Sequence, residues 1–563
     1  MSFSSLFRKK PISSILKEGG DGEHSGLSKV LTVKDLTFFG IAAILGAGSF
    51  SSLGSAVFSG GPGVIFLFVI VAIACGFTAM CYSEFASRIP VAGSAYTYAY
   101  SSFGEIFAWI IGWALLMEYS IGNIYVAYSW SDYFTSLLAQ CNMNIPAYLS
   151  TSYMEAHKAF EQHIQGESLT AWQMAPNILG LRIIFDLPAV LINIIITYLV
   201  FRGIKESKNF SNAMVMIKMF VVALVIIVGF YMIFKENLGF NWTPKNVDGV
   251  RSFMPNGFKG VMMAVSGVFF AYIGFDAVSV LAEESKNPER DLPRGMIYSL
   301  VICTVVYILL SLVLTGSADY KSFEGIGDPL AFIFEKANLD IAWMHFLVAI
   351  CAVVAMTSVL LVFQMGQPRI WMTMSRDGLL PKKFQEIHPK YKTPGFATIL
   401  TGMVVGIPLL FTDKTFVLDF TSIGTLFAFV LVCGGVLLIP RRERQPGRFH
   451  MPYINSKFIF PLLCLVSILI IHNCLPGYIN GAFDLSSPEG NLPLAIFFIF
   501  CIVMAGLAFK KNLSLIPLLG LISCCYLLTG MAVSNWKWFA VWLVIGLVVY
   551  FMYGFKNSRL NKN

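Results

Sequence analysis

Apolar residues along this chain gather in separated runs of about twenty, with polar residues between them. Twenty residues is the length a helix needs to cross the hydrocarbon core of a bilayer. Fourteen such runs read as spans: near 36–58, 63–86, 105–137, 180–201, 209–234, 258–282, 295–317, 342–372, 395–412, 415–439, 458–476, 493–509, 513–532 and 537–555. The pair around 395–439 is the least distinct, since only "FTDKT" parts it. Composition agrees: 56% of residues are hydrophobic and 13% charged, against about 25% charged in a soluble domain. The pattern predicts an all-α polytopic membrane protein.

The polar stretches set its orientation. With a cytoplasmic N-terminus, "FRKKPISSILK", "RGIKESK", "SKNPERDLPR", "SRDGLLPKKF" and "PRRERQPGR" all fall inside, as the positive-inside rule requires. The long outer loop that follows Cys141 carries only Lys158 and, at its far edge, Arg182. Both termini are therefore expected in the cytoplasm, in a multi-pass protein of the cell (cytoplasmic) membrane. This bias accounts for the net charge of +8, so no nucleic-acid partner is called for. The first 35 residues are polar and basic, unlike a signal peptide. Most of the eleven cysteines lie inside apolar runs, where they behave as small apolar residues. The seven histidines are not at ligand spacing, so no metal site is expected. Nothing in the spans makes a catalytic cluster, and no catalytic residue or cofactor is assigned.

One run is built to break. "GIAAILGAGSFSSLG", Gly40 to Gly54, holds four glycines, each costing a helix roughly 1 kcal/mol relative to alanine. A second break is expected in the sixth run, "FFAYIGFDAVSVLAEE", Phe269 to Glu284. Runs one and six occupy corresponding positions of two five-helix halves of opposite orientation. Interrupted helices at matched positions point to a transporter binding site, because irregular backbone at mid-depth is tolerated only in protein or beside a wet cavity. Freed N–H groups attract an anion and freed carbonyls a cation, which suits a zwitterion. The alternative is close packing, common at small-residue positions of membrane helices.

Three longer strings carry a family resemblance: "CYSEFASRIPVAGSAYTYAYSSFGE" (Cys81–Glu105), "FFAYIGFDAVSVLAEESKNPERDLPRG" (Phe269–Gly295) and "TSVLLVFQMGQPRIWMTMSRDGLLP" (Thr357–Pro381). From about Leu31 to Gly554 the chain resembles the cationic amino acid transporter family of the amino acid–polyamine–organocation superfamily. The resemblance implies a LeuT-type fold of two inverted five-helix repeats, here 36–235 and 258–440. Four additional helices follow at 457–555, between a cytoplasmic N-terminal segment (1–35) and a tail (556–563). It implies that a substrate carboxylate meets N–H groups around Gly46, Ala47 and Gly48. The ammonium would meet carbonyls around Ala43, Ile44, Phe270, Ala271 and Ile273, with Phe270 closing over the substrate. One departure stands out: "GAGSF" has Ser49 where the family usually has isoleucine, which predicts a more polar wall.

Lys218, in "NAMVMIKMFVVALVII", lies nine residues into its run, about 14 Å along a helix. A lysine at mid-membrane costs roughly 2.5–3.5 kcal/mol to insert and needs a partner or a role. The resemblance implies the role: a lysine here takes the place of a coupling sodium and couples transport to protons. The alternative is a tether to the carbonyls of the broken first run. Glu118, also mid-run, is the candidate to pair with Lys218. Asp276 is read as a cap at the second break, Thr357 and Ser358 as hydroxyls for Lys218 or nearby backbone, and Glu84 with Arg88 as a structural i,i+4 pair. Proton-coupled carriage of L-amino acids is the leading function. An exchanger or a non-transporting sensor are the alternatives, and a channel filter is missing. A homo-oligomer or helper subunit is a further expectation for the last four helices.

Overall fold

The computed structural model describes residues 7–11, 15, 31–46, 48–89, 94–164, 166–178, 180–203, 208–245, 249–336, 338–391, 393–440, 446–474, 478–483 and 488–561. Helices dominate. The first run is split into α1 (Val33–Ile44) and α2 (Leu53–Gly60), joined by a wide turn at Gly48–Ser52. There follow α3 (Val64–Arg88), α4 (Ser94–Ser102), α5 (Glu105–Gln140), α6 (Leu187–Arg202) and α7 (Lys208–Lys235). The sixth run gives α8 (Gly257–Met263), α9 (Val265–Tyr272) and a tight turn of helix over Asp276–Glu284. Then come α10 (Pro288–Ser317), α11 (Ala342–Arg376), α12 (Gly395–Gly406), α13 (Lys414–Leu438), α14 (Ser456–Cys474), α15 (Pro488–Lys511), α16 (Leu515–Thr529) and α17 (Val533–Val549).

The expected count of spans is not reproduced by length and composition. Among the described residues nine helices are long and apolar enough to cross a membrane, or ten if the pair bent by 44° at Ala264 is one span. The physical reason is local. The first run is broken, and its second half continues through "GPG" into α3 as one 41-residue stretch. Three further apolar helices, Leu187–Arg202, Gly395–Leu410 and Leu515–Thr529, are shorter than a full crossing.

Polar residues begin these helices where their orphan N–H groups need acceptors. Asp186 Oδ1 accepts from Ala189 N at 2.9 Å and opens α6, which ends at left-handed Gly203. Asp413 Oδ1 accepts from Phe416 N at 2.8 Å at the head of α13. The helices that hold the breaks pack against α3, α7, α10, α11 and α13. α14 and α15 present most of their apolar side chains outward, the face a membrane helix turns to lipid.

The two ends of the chain meet on one face. Arg8 donates to the Leu560 carbonyl at 3.2 Å, Lys10 pairs with Asp377 at 2.8 Å, and buried Glu105 accepts from Tyr550 at 2.9 Å and Ser558 at 2.5 Å. Near them, Glu84 holds Arg88 at 2.8 Å, the i,i+4 pair expected, and also accepts from Met451 N. On the opposite face the loop after Cys141 is folded rather than extended. Two short helices (Tyr153–Glu161, Glu167–Met174) and a two-residue hairpin (Asn177–Ile178 with Leu181–Arg182) build a cap with its own apolar cluster. The Arg182 guanidinium lies 4.9 Å above the Trp172 ring there.

Candidate functional site

The two breaks cross each other at the centre of the bundle, and glycine is what lets them. A side-chain carbon on Gly48 would stand 2.6 Å from the Cα of Ala271; one on Gly274 would stand 3.0 Å from the Ala43 backbone. Gly274 also has φ +115°, a conformation other residues rarely adopt. Gly46 abuts Val359 of α11 at 2.6 Å in the same sense. The glycines therefore serve close packing, and the packing they permit sets two broken helices backbone to backbone.

Three side chains then bond to carbonyls at the junction. The Lys218 ammonium, 3% exposed on α7, donates to Leu45 O at 2.6 Å and Ala42 O at 3.2 Å. A cation at this point faces the negative end of the α1 dipole. The Tyr307 hydroxyl of α10 lies 2.8 Å from Ile44 O and 2.7 Å from Ala271 O, with one proton to share between the two breaks. Ser52 of the first break reaches across to Gly267 O of α9 at 2.9 Å.

Beside this junction lies a small cavity. Ala43, Ile44 and Gly48 come from the first break, Phe270 and Ile273 from the second, Val126 from α5, and Val359 and Phe363 from α11. It has room for about one water. Phe270 lies edge-on to Tyr125 of α5, ring centroids 4.5 Å apart, and is 5% exposed.

The residues singled out in the sequence fall unevenly around it. Ala43, Ile44, Gly48, Phe270 and Ile273 line the cavity. Ala271 gives its carbonyl to Tyr307. Gly46 N–H is turned back onto Ile44 O at 2.9 Å, and Ala47 lies outside the described residues. Ser49 is fully buried with its hydroxyl on Gly46 O at 3.0 Å. It does not make the wall polar as expected, because the turn of backbone beside it consumes its one donor.

Glu118 does not meet Lys218. It projects from α5 toward Thr425 of α13 and Asp276, while Lys218 lies near Cys303 and Cys351. Asp276 lies near the backbone N–H groups of Gly274 and Ala277, but the cap position of its segment is Phe275 and no side-chain cap hydrogen bond forms there. Thr357 accepts from Trp130 Nε1 at 2.9 Å and donates to Val353 O, and Ser358 donates to Ala355 O at 2.7 Å. Both hydroxyls serve backbone rather than Lys218. Among the described residues no group of three His, Cys, Asp or Glu is placed to hold a metal.

Sequence reasoning missed Tyr307, Tyr125, Val126, Val359 and Phe363. A polar tip inside an apolar run, as in "CTVVYILLS", is a usable signal, since a buried tyrosine hydroxyl needs a partner. The valines and Phe363 give none; they look like any other span residue.

Comparison with known proteins matches residues 31–509 to the amino acid permease family and residues 513–558 to the C-terminal region of such permeases. The chain is 36% identical over 560 residues to the branched-chain amino acid permease BcaP of Bacillus subtilis (strain 168), covering 99% of each. It is 34% identical to the methylthioribose transporter of the same organism, covering 99% of this chain and 100% of that one. With the vacuolar cationic amino acid transporter 2 of Arabidopsis thaliana it shares 31% identity, covering 99% of this chain and 93% of the relative.

Proposed function

Since the chain belongs to the amino acid permease family, we propose that it is a secondary active carrier of L-amino acids, coupled to protons through Lys218. One observation carries the coupling: Lys218 is a buried cation whose two hydrogen bonds go to Ala42 and Leu45, the loose end of α1. Protonated, it makes charge-assisted bonds to that end and draws on the helix dipole. Loss of the proton weakens both, and α1 is freed to tilt away from α7. Substrate and proton are then released together as the site opens to one side.

The frame for this motion is the fourteen-span reading: two inverted repeats of LeuT type, four additional helices, both termini cytoplasmic, in the cell membrane. The matched breaks packed against each other through Gly48 and Gly274 support it. The cavity lining supports neutral cargo with an aliphatic side chain. Val126, Val359, Phe363 and Ile273 face it, and none of its lining residues bears a carboxylate to pair with a cationic side chain.

A second reading keeps Lys218 as a tether in a proton-independent exchanger, because no described carboxylate stands beside it to take its proton. Uptake of labelled leucine and labelled arginine into proteoliposomes, with and without an inward proton gradient, separates the two. The expected result is leucine uptake raised about tenfold by the gradient, arginine poorly carried, and the stimulation lost in Lys218→Ala. Uptake that ignores the gradient and requires internal amino acid would establish the exchanger.

A further inference from the structure

We propose that Asp132 and Lys414 form the latch that closes the site toward the face opposite the chain ends, with Tyr125 relaying their pairing to Phe270. This rests on the carrier reading above and adds a gate to it.

The contacts run in one unbroken line. Phe270 covers the cavity and lies edge-on to Tyr125 at 4.5 Å. The Tyr125 ring carries the Lys414 ammonium 5.5 Å from its centroid, within reach of a cation–π attraction. Lys414 in turn is ion-paired to Asp132. Tyr125 and Asp132 lie seven residues apart on α5, two turns along the same face. Lys414 is the first residue of α13, so the pair ties the far ends of two helices that flank both breaks. Gly327 packs directly on the Asp132 carboxylate, where any side chain would collide with it.

The pair has the burial a latch needs. Its side chains are 21% and 31% exposed, dry enough for the attraction to count and wet enough that parting does not strand a charge. Parting it releases the cation from Tyr125, whose hydroxyl also bonds Ser51 Oγ at 3.3 Å, and lets that ring, with Phe270 beneath it, swing outward once this weak bond gives. Glu155 and Asp328 also lie in electrostatic reach of Lys414, so the test must show that Asp132 is the partner that matters.

The test reads accessibility. Val126→Cys, at the cavity wall, is placed in a Cys141→Ser background and labelled with a membrane-impermeant methanethiosulfonate in right-side-out and inverted vesicles. Exposed Cys141 of the parent, on the cap side, identifies the vesicles that present the latch face. In those vesicles Asp132→Asn and Lys414→Gln are each expected to speed labelling about fivefold or more, the size of an ordinary coupling between sites. The double variant should go no faster than either single one, as for a coupled pair, and Asp132→Glu should stay slow.

Equal rates in all variants would overturn the latch, as would additive effects or acceleration in the other vesicle orientation. Should Asp132→Asn fail to assemble, Lys414→Gln alone decides by the same rate. Labelling needs no transport. Changed labelling without any uptake would therefore sink the carrier reading and leave the latch, while uptake with unchanged labelling would do the reverse.

Discussion

The break between α1 and α2 and the break after α9 look alike in sequence, each a glycine-bearing interruption of an apolar run, yet they are held open by different means. The second is fixed locally. Gly274, at the turn itself, takes a backbone conformation that other residues avoid. The first is held from outside, by Lys218 reaching from α7 to Ala42 and Leu45 and by Tyr307 reaching from α10 to Ile44. One break carries its shape in its own backbone; the other leans on side chains from neighbouring helices, Lys218 foremost. A carrier needs both, a fixed half of the site to recognise cargo and a half that can be let go.

Altering the fixed break should have the larger effect. Gly274→Ala places a side chain at φ +115° and 3.0 Å from the Ala43 backbone, a strain of about 1–3 kcal/mol. The expected outcome is a lower melting temperature in detergent and uptake reduced about tenfold or more, with any remaining uptake still gradient-dependent. Normal uptake and melting would show that the second break is not fixed by this glycine.

Tyr307→Phe should act on both breaks at once but more mildly. It leaves Ile44 O and Ala271 O without their shared donor, a loss of about 1 kcal/mol. Uptake should fall a few-fold with the proton dependence intact, measured as the ratio of rates with and without the gradient. A loss of that ratio would move the coupling from Lys218 to Tyr307 and dissolve the contrast between the breaks.

Ser49→Ala should do least. Its hydroxyl bonds to Gly46 O inside the first turn and does not face the cavity, so the change costs about 0.5–1.5 kcal/mol of stability and leaves the preference among amino acids unaltered. A shifted preference in competition assays would restore the polar wall expected from sequence.

The helical runs were legible because lipid leaves the backbone no other way to bond itself. Their division into spans was less so. Whether a short run such as Leu187–Arg202 crosses alone depends on its neighbours, which composition does not record. At the site, Gly48 and Phe270 could be read from the strings around them. The partner of Lys218 could not: Glu118 looked suitable in sequence, but α5 turns it toward Thr425 and Asp276. Helical phase alone does not say which neighbour a face will meet. Val126, Val359 and Phe363 were invisible for a simpler reason, since an apolar wall of a pocket and an apolar wall of a core use the same residues.

Coupling requires that a proton leaves or joins Lys218 with each turnover. The pH inside sealed proteoliposomes reports this, followed with a trapped dye as leucine is added outside in the absence of any imposed gradient. Acidification should accompany leucine entry in the parent and disappear in Lys218→Ala while leucine still binds. Leucine entry with no change of internal pH in the parent would rule out proton coupling and leave Lys218 a tether.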